Sequence, residues 1–244
     1  MDDTSLKNAT WRTYTVADGL PSAVCEHVAE DQHGNLWIAT AEDGACRFDG
    51  NEFVSFSRAD GLCGDQVFAI LPDSRGRIWF GTIDGGLCFY DGETFHQPPG
   101  FADIIWTFLY EDSRGRTWWA GPNCVGYCEG DALCDLSARY EDQLGKQFSG
   151  KWGIAEDEEG QIWLGAGLNG LVCYDGSAFH YGLKVEGLSF ECVCKDAARQ
   201  LWTAGTGGDT CKQTVELLGG TIDAQSQMGK GTTFILKIGD YSAP

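Results

Sequence analysis

No stretch of this 244-residue chain approaches the roughly 20 consecutive apolar residues that a membrane-crossing helix needs, so no span is expected. Met1–Thr10 is polar and carries two aspartates, unlike a secretory leader, and a cytoplasmic location is the default expectation. Positive charge is also scarce: 17 Lys and Arg stand against 36 Asp and Glu, for a formal charge of −19. Such a surface repels phosphate backbones and anionic headgroups, which excludes nucleic acid and lipid surfaces as partners. The four histidines, His27, His33, His96 and His180, lie in no Ser/His/Asp, Cys/His or zinc motif. None of the eleven cysteines forms a Cys-x2-Cys knuckle. Cys124, Cys128 and Cys134, or Cys192 and Cys194, are therefore not expected to hold zinc, and no metal or cofactor is expected elsewhere. Most thiols lie in apolar runs such as Leu87-Cys88-Phe89, where they pack as small hydrophobes, and they are expected to be mostly reduced and buried.

What the chain does have is a repeat. Asp-x-x-Gly-x-(apolar or Thr)-Trp occurs at Asp31–Trp37, Asp73–Trp79, Asp112–Trp118 and Asp157–Trp163, and again at Asp196–Trp202 with Arg199 in place of the glycine. The tryptophans are 42, 39, 45 and 39 residues apart. A period near forty with short β-rich runs is the mark of four-stranded propeller blades. Each unit reads as an inner strand before the Asp, a second strand at the Trp, a third at an aromatic-Asp-Gly such as Phe48-Asp49-Gly50, and a fourth around Phe53, Phe95 or Phe179. Val28, Ile70, Leu109, Ile154 and Val193 stand three residues before each Asp and form an apolar column suited to packing between blades. The Asp itself is expected to accept amides of its own turn. The expected fold is an all-β propeller of five blades with a short C-terminal hairpin. Trp11 precedes Gly19 by the same eight residues that separate Phe53 from Gly61, so Thr10–Val16 is expected to be an outer strand that closes the ring on the last blade.

Asp18-Gly19-Leu20-Pro21, Asp60-Gly61-Leu62, Trp79-Phe80-Gly81-Thr82 and Gly85-Gly86-Leu87, repeated with the elements above, resemble the two-component regulator propeller repeat over about residues 11–206. That resemblance implies the sensory part of a membrane histidine kinase, a part that is usually exported. Residues 207–238 differ in character. Lys212, Val215-Glu216, Gly219-Gly220, Ile222, Ser226 and Gly229-Lys230-Gly231-Thr232-Thr233-Phe234 resemble the end of a histidine-kinase ATPase domain. The phosphoacceptor histidine, the asparagine box for magnesium and the Asp-x-Gly-x-Gly for adenine that the resemblance calls for are not in the sequence. Phosphoryl transfer needs nucleotide, metal and acceptor positioned together, so the tail reads as a remnant reused as a hairpin on the fifth blade.

The expectation is a non-catalytic sensory or ligand-binding propeller derived from a two-component histidine kinase. The alternatives are a protein-interaction scaffold and a propeller lyase or glycosidase. Less regular residues of the inner strands mark a candidate ligand site at the channel mouth: Glu26, Gln66, Trp106, Lys151, Trp152 and Glu191. Glu26 and Glu191 share one register, five residues before their Asp, and are the carboxylate pair an enzyme reading would require. The expected partner is a small molecule, a glycan or a protein.

Overall fold

A computed structural model of the chain describes residues 12–104, 108–122, 124–145, 153–184, 189–195, 201–206, 221–227 and 231–237. The expected blades are present as five four-stranded antiparallel sheets. Blade one holds β1 (Cys25–Glu30), β2 (Leu36–Thr40), β3 (Ala45–Phe48) and β4 (Phe53–Phe56). Blade two holds β5 (Val67–Pro72), β6 (Ile78–Thr82), β7 (Leu87–Tyr90) and β8 (Phe95–His96). Blade three holds β9 (Phe108–Glu111), β10 (Thr117–Gly121), β11 (Cys124–Glu129) and β12 (Ala132–Asp135). Blade four holds β13 (Ile154–Glu156), β14 (Ile162–Gly165), β15 (Leu171–Tyr174) and β16 (Phe179–Leu183). In blade five the order is β17 (Ser189–Lys195), β18 (Leu201–Thr206), β20 (Gly231–Lys237) and β19 (Thr221–Gln227), so the tail hairpin supplies both outer strands. Its attachment is the pairing of Trp202 with Lys237 and of Thr203 with Leu236.

The repeating Asp does more than close its turn. One oxygen of Asp73 accepts the amides of Arg75 and Arg77, while the other accepts the Trp79 indole N–H at 2.9 Å. The same pattern recurs at Asp31 with Trp37 (2.8 Å), Asp112 with Trp118 (2.7 Å) and Asp157 with Trp163 (2.7 Å). The carboxylate thus orients the tryptophan whose ring fills the junction to the next blade. Burial alone would raise the Asp31 carboxyl, but hydrogen bonds from Asn35, Trp37 and His33 outweigh it and hold the group below its ordinary range. In blades two and three an arginine joins the clamp. Arg77 and Arg116 donate Nε to the same oxygen as the indole and lie over the rings of Trp79 and Trp118 at 4.9 and 5.2 Å.

The first four repeat tryptophans each lie in one of four apolar cores among the described residues, and each core occupies one junction between successive blades. Trp37 packs with Ile70 and Phe80, Trp79 with Leu109 and Trp119, Trp118 with Ile154 and Tyr174, and Trp163 with Phe190 and Val193. Glutamates reinforce two junctions: Glu111 accepts both N–H and O–H of Ser74, and Glu156 does the same for Ser113. A closed ring of five blades would have a fifth junction, and no fifth core is present among the described residues. Val28 shows the consequence. It is 53% exposed, whereas Ile70, Leu109, Ile154 and Val193 at the same register are 2, 6, 3 and 2% exposed. The apolar column therefore fails at its first member, where no sheet among the described residues covers that face.

Three further features correct the sequence reading. Residues 12–15 are not a strand of blade five; Tyr14 packs edge-on against Phe48 and Phe53 of blade one (4.9 and 5.4 Å), and the outer position of blade five is held by β19. The long interval between Trp118 and Trp163 holds a helix, α1 (Ser137–Leu144), which buries Tyr140 against Phe179 (5.1 Å). Lastly, one pair, Cys63 and Cys88, forms a disulfide while the other described cysteines are free, so the set is mostly reduced as expected; Cys25 and Cys194 are exposed and depart from the expected burial. Burial does push the thiols of Cys46 and Cys173 up to about 12, as expected of packing residues. No helix among the described residues is long and apolar enough to cross a membrane.

Candidate functional site

The inner strand of each blade begins at one end of the propeller and runs toward its Asp turn at the other. At the starting end, three strands share an irregularity. In β1, Cys25 pairs with Thr40 and His27 with Ala39, leaving Glu26 as a bulge. In β5 the bulge is Phe68, between the Val67–Thr82 and Ala69–Gly81 pairs. In β17 it is Glu191, between the Phe190–Gly205 and Cys192–Ala204 pairs. Bulges bend a strand and re-aim one side chain while leaving its neighbours in register, and they gather next to binding sites. The expected common register of Glu26 and Glu191 is thus a common backbone geometry. It is set five residues before each repeating Asp.

Gln66 stands immediately before β5 and is exposed. Its carbonyl accepts the Ile83 amide (2.9 Å) and its own amide donates to Asp84 (3.2 Å). Asp84 also accepts Arg58 Nη2 at 2.8 Å, so one carboxylate ties the second–third strand loop of blade two to the start of its inner strand. Glu26 is exposed as well, with the chain before it pinned by the Val24 carbonyl accepting the Ala41 amide. Trp106, Lys151 and Trp152 lie outside the described residues, and Glu191 is described by its backbone alone. The structure therefore brings Glu26, Gln66 and the backbone of Glu191 to one end of the propeller.

One residue at this end escaped the sequence reading. Leu168 is 67% exposed in the loop between β14 and β15, and its neighbour Gly167 exchanges both backbone hydrogen bonds with Phe190, next to Glu191. Glu42 and Asp84 occupy the matching loop position in blades one and two. An apolar residue where blades one and two place acids was the available signal. Just behind the mouth, His27 accepts the Ile70 amide on Nδ1 (3.0 Å), which fixes the ring as the neutral Nε2–H tautomer. Burial holds that imidazole below its ordinary range. Among the described residues no cluster of three or more His, Cys, Asp or Glu side chains stands ready to hold a metal.

Residues 61–84, which run from the Gly61 turn to Asp84, match the family described as Two component regulator propeller. The sensor protein SrrB of Staphylococcus aureus is 51% identical to this chain over 45 residues, 18% of this chain and 8% of that protein, so the chain spans under a tenth of that relative's length. Among solved structures, the extracellular domain of a putative hybrid two component system from B. thetaiotaomicron superposes with a TM-score of 0.60 at 19% identity, covering 84% of this chain and 31% of that one. A streptogramin B lyase superposes with a TM-score of 0.61 at 14% identity, covering 78% of this chain and 67% of the lyase. At these identities the likeness is one of fold.

Proposed function

We propose that this chain, which carries two-component regulator propeller repeats, is a non-catalytic sensory propeller derived from a two-component histidine kinase. In this reading it binds a small molecule or glycan at the end where its inner strands begin. The observations that support it most directly lie together at that end of the propeller. The repeat that matches the family model begins at Gly61 and ends at Asp84. Asp84 fixes the backbone of Gln66, and the bulges present Glu26 and Glu191 at the same end. The ligand would meet Glu26, Gln66 and Glu191 as polar contacts, with Trp106, Trp152 and Lys151 supplying stacking surface and charge.

The resemblance of residues 207–238 to a kinase ATPase terminus, and the partial match to a sensor protein, support descent from such an enzyme. The division into a propeller over residues 11–206 and a kinase remnant over 207–238 belongs to the same proposal. An exported position fits better than the cytoplasmic default, because a disulfide between Cys63 and Cys88 suits an oxidising compartment and the hybrid two component neighbour is an extracellular domain. A lyase reading would make Glu26 and Glu191 its acid and base; it draws support from the fold of the streptogramin lyase alone.

The test is a metabolite and glycan screen on the purified chain, repeated with Glu26→Gln and Gln66→Ala. A ligand that binds without being consumed, and whose affinity falls in both variants, is the expected result. Turnover of the ligand, or an affinity indifferent to both substitutions, would defeat the assignment.

A further inference from the structure

The face of blade one that points away from blade two repeats, residue for residue, the face that blade two turns toward blade one. Val28, Leu36 and Ile38 occupy the registers of Ile70, Ile78 and Phe80, and Phe48 and Phe53 those of Tyr90 and Phe95. On blade two this face is covered by blade one: Trp37 lies in one core with Ile70, Ile78 and Phe80, and Phe56 packs on Tyr90 and Phe95 at 5.5 and 5.7 Å. On blade one the outer half has the same cover. Tyr14, which precedes its turn glycine Gly19 as Phe56 precedes Gly61, packs on Phe48 and Phe53. The inner half does not. Val28 and Leu36 are 53 and 37% exposed where Ile70 and Ile78 are 2 and 5% exposed. At the four described junctions that half is filled by the repeat tryptophan of the preceding blade.

Blade five carries such a tryptophan on a face that is itself incompletely covered. Trp202 pairs with Cys194 of β17, as Trp37 pairs with Ala29, Trp79 with Leu71, Trp118 with Tyr110 and Trp163 with Ala155. The other four tryptophans are buried and none of their partners is exposed, whereas Trp202 is only partly buried and Cys194 is exposed. One chain thus bears both halves of a junction made to the rule of its other four, and leaves both partly in solvent. In a stack of repeats each face is stabilised by its nearest neighbour, and two unlike complementary faces on one chain are the elements of a head-to-tail contact between copies. We propose that blade five of one copy docks on the Val28 face of blade one in a second copy, with Trp202 set against Val28 and Leu36 as Trp37 is set among Ile70, Ile78 and Phe80. The charge of −19 opposes the approach of two copies, but at physiological ionic strength that repulsion is screened beyond about 8 Å. The contact is apolar, so added salt should strengthen it.

Sedimentation velocity on the full chain from about 1 to 100 μM, a range that reports dissociation constants of that order, reads the contact directly. Concentration-dependent dimers or larger species are expected. Val28→Asp spoils the blade-one face and Cys194→Glu the blade-five face; both side chains are exposed, so neither change should disturb folding. Each variant alone should associate at least about tenfold more weakly. Mixed together they should form a heterodimer, because the Val28→Asp copy keeps an intact blade five and the Cys194→Glu copy an intact blade one. A symmetric contact through blade one alone would survive Cys194→Glu, and that result would overturn the proposal. So would a monomer at every concentration, association indifferent to both substitutions, a mixture that stays monomeric, or dimers that a non-reducing gel shows to be disulfide-linked.

Discussion

Asp112 offers the sharpest test of what holds the blades together. Its side chain is fully buried and accepts four hydrogen bonds: the amides of Arg114 and Arg116 (both 3.0 Å), Arg116 Nε (2.6 Å) and Trp118 Nε1 (2.7 Å). Asp112→Ala deletes every acceptor at once and strands a guanidinium that is itself nearly buried. Breaking a buried ion pair by removing one partner costs about 3–5 kcal/mol, and the orphaned amides and indole place the expected loss toward the upper part of that range. Asp31 makes the same turn and indole bonds, but it is only partly buried and its fifth-position neighbour is the neutral Asn35. Asp31→Ala leaves no stranded charge, and water can replace part of what is lost, so about 1–2 kcal/mol is expected. The double variant Asp112→Ala/Arg116→Met should recover part of the deficit, because it removes the uncompensated cation. Urea unfolding of the four proteins measures all these quantities. If Asp112→Ala and Asp31→Ala cost the same, or if the double variant is no more stable than Asp112→Ala, the carboxylate is not acting as the buried anchor described above.

Three further outcomes follow from the structure. Thiol titration of the denatured, unreduced chain should find at least two of the eleven cysteines unreactive, because Cys63 and Cys88 are joined; eleven reactive thiols would show that the bond does not form. Deleting residues 212–244 removes the two outer strands of blade five and leaves β18 as a bare edge, so the melting temperature should fall or aggregation appear, and an unchanged melt would make the tail a passive appendage. His27 has a folded-state pKa below its ordinary value, so its contribution is present above about pH 6.5 and is lost as pH falls through the lower folded value. His27→Gln should flatten the stability profile in that interval, and an unchanged profile would exclude His27 as its source.

The blades, their strand order and the structural role of the repeating Asp were legible because a period near forty repeats the same local physics five times. The hairpin on blade five was legible for a related reason: a blade ending at Trp202 and Thr203 leaves an edge that needs a partner, and residues 221–237 have the composition to provide one. What escaped depends on neighbours distant in sequence. Val28 has the same apolar character and register as Ile70, and it is exposed because no sheet among the described residues covers it. Cys63 and Cys88 lie 25 residues apart and meet because a turn and a third strand fold over each other. Tyr14 takes the aromatic pair Phe48 and Phe53, which no spacing rule foretells. At the candidate site, the register of Glu26 and Glu191 could be counted from the Asp, whereas their bulges could not. A bulge is a property of two paired strands and is invisible in either one alone.

Among the described residues four cores join successive blades and none joins blade five to blade one, and in energetic terms these blades form a short linear stack. In a stack, stability is the sum of what each unit and each nearest-neighbour contact contributes, and the end units are held from one side only. Amide exchange should therefore be graded along the chain, slowest in blades three and four, where the core at Trp118 also gathers Leu136 and Tyr140 beside α1, and faster toward blades one and five. Local opening would then begin at the ends and propagate inward. The face that bears Val28 would behave as a terminus, fraying readily while the centre of the propeller keeps its shape.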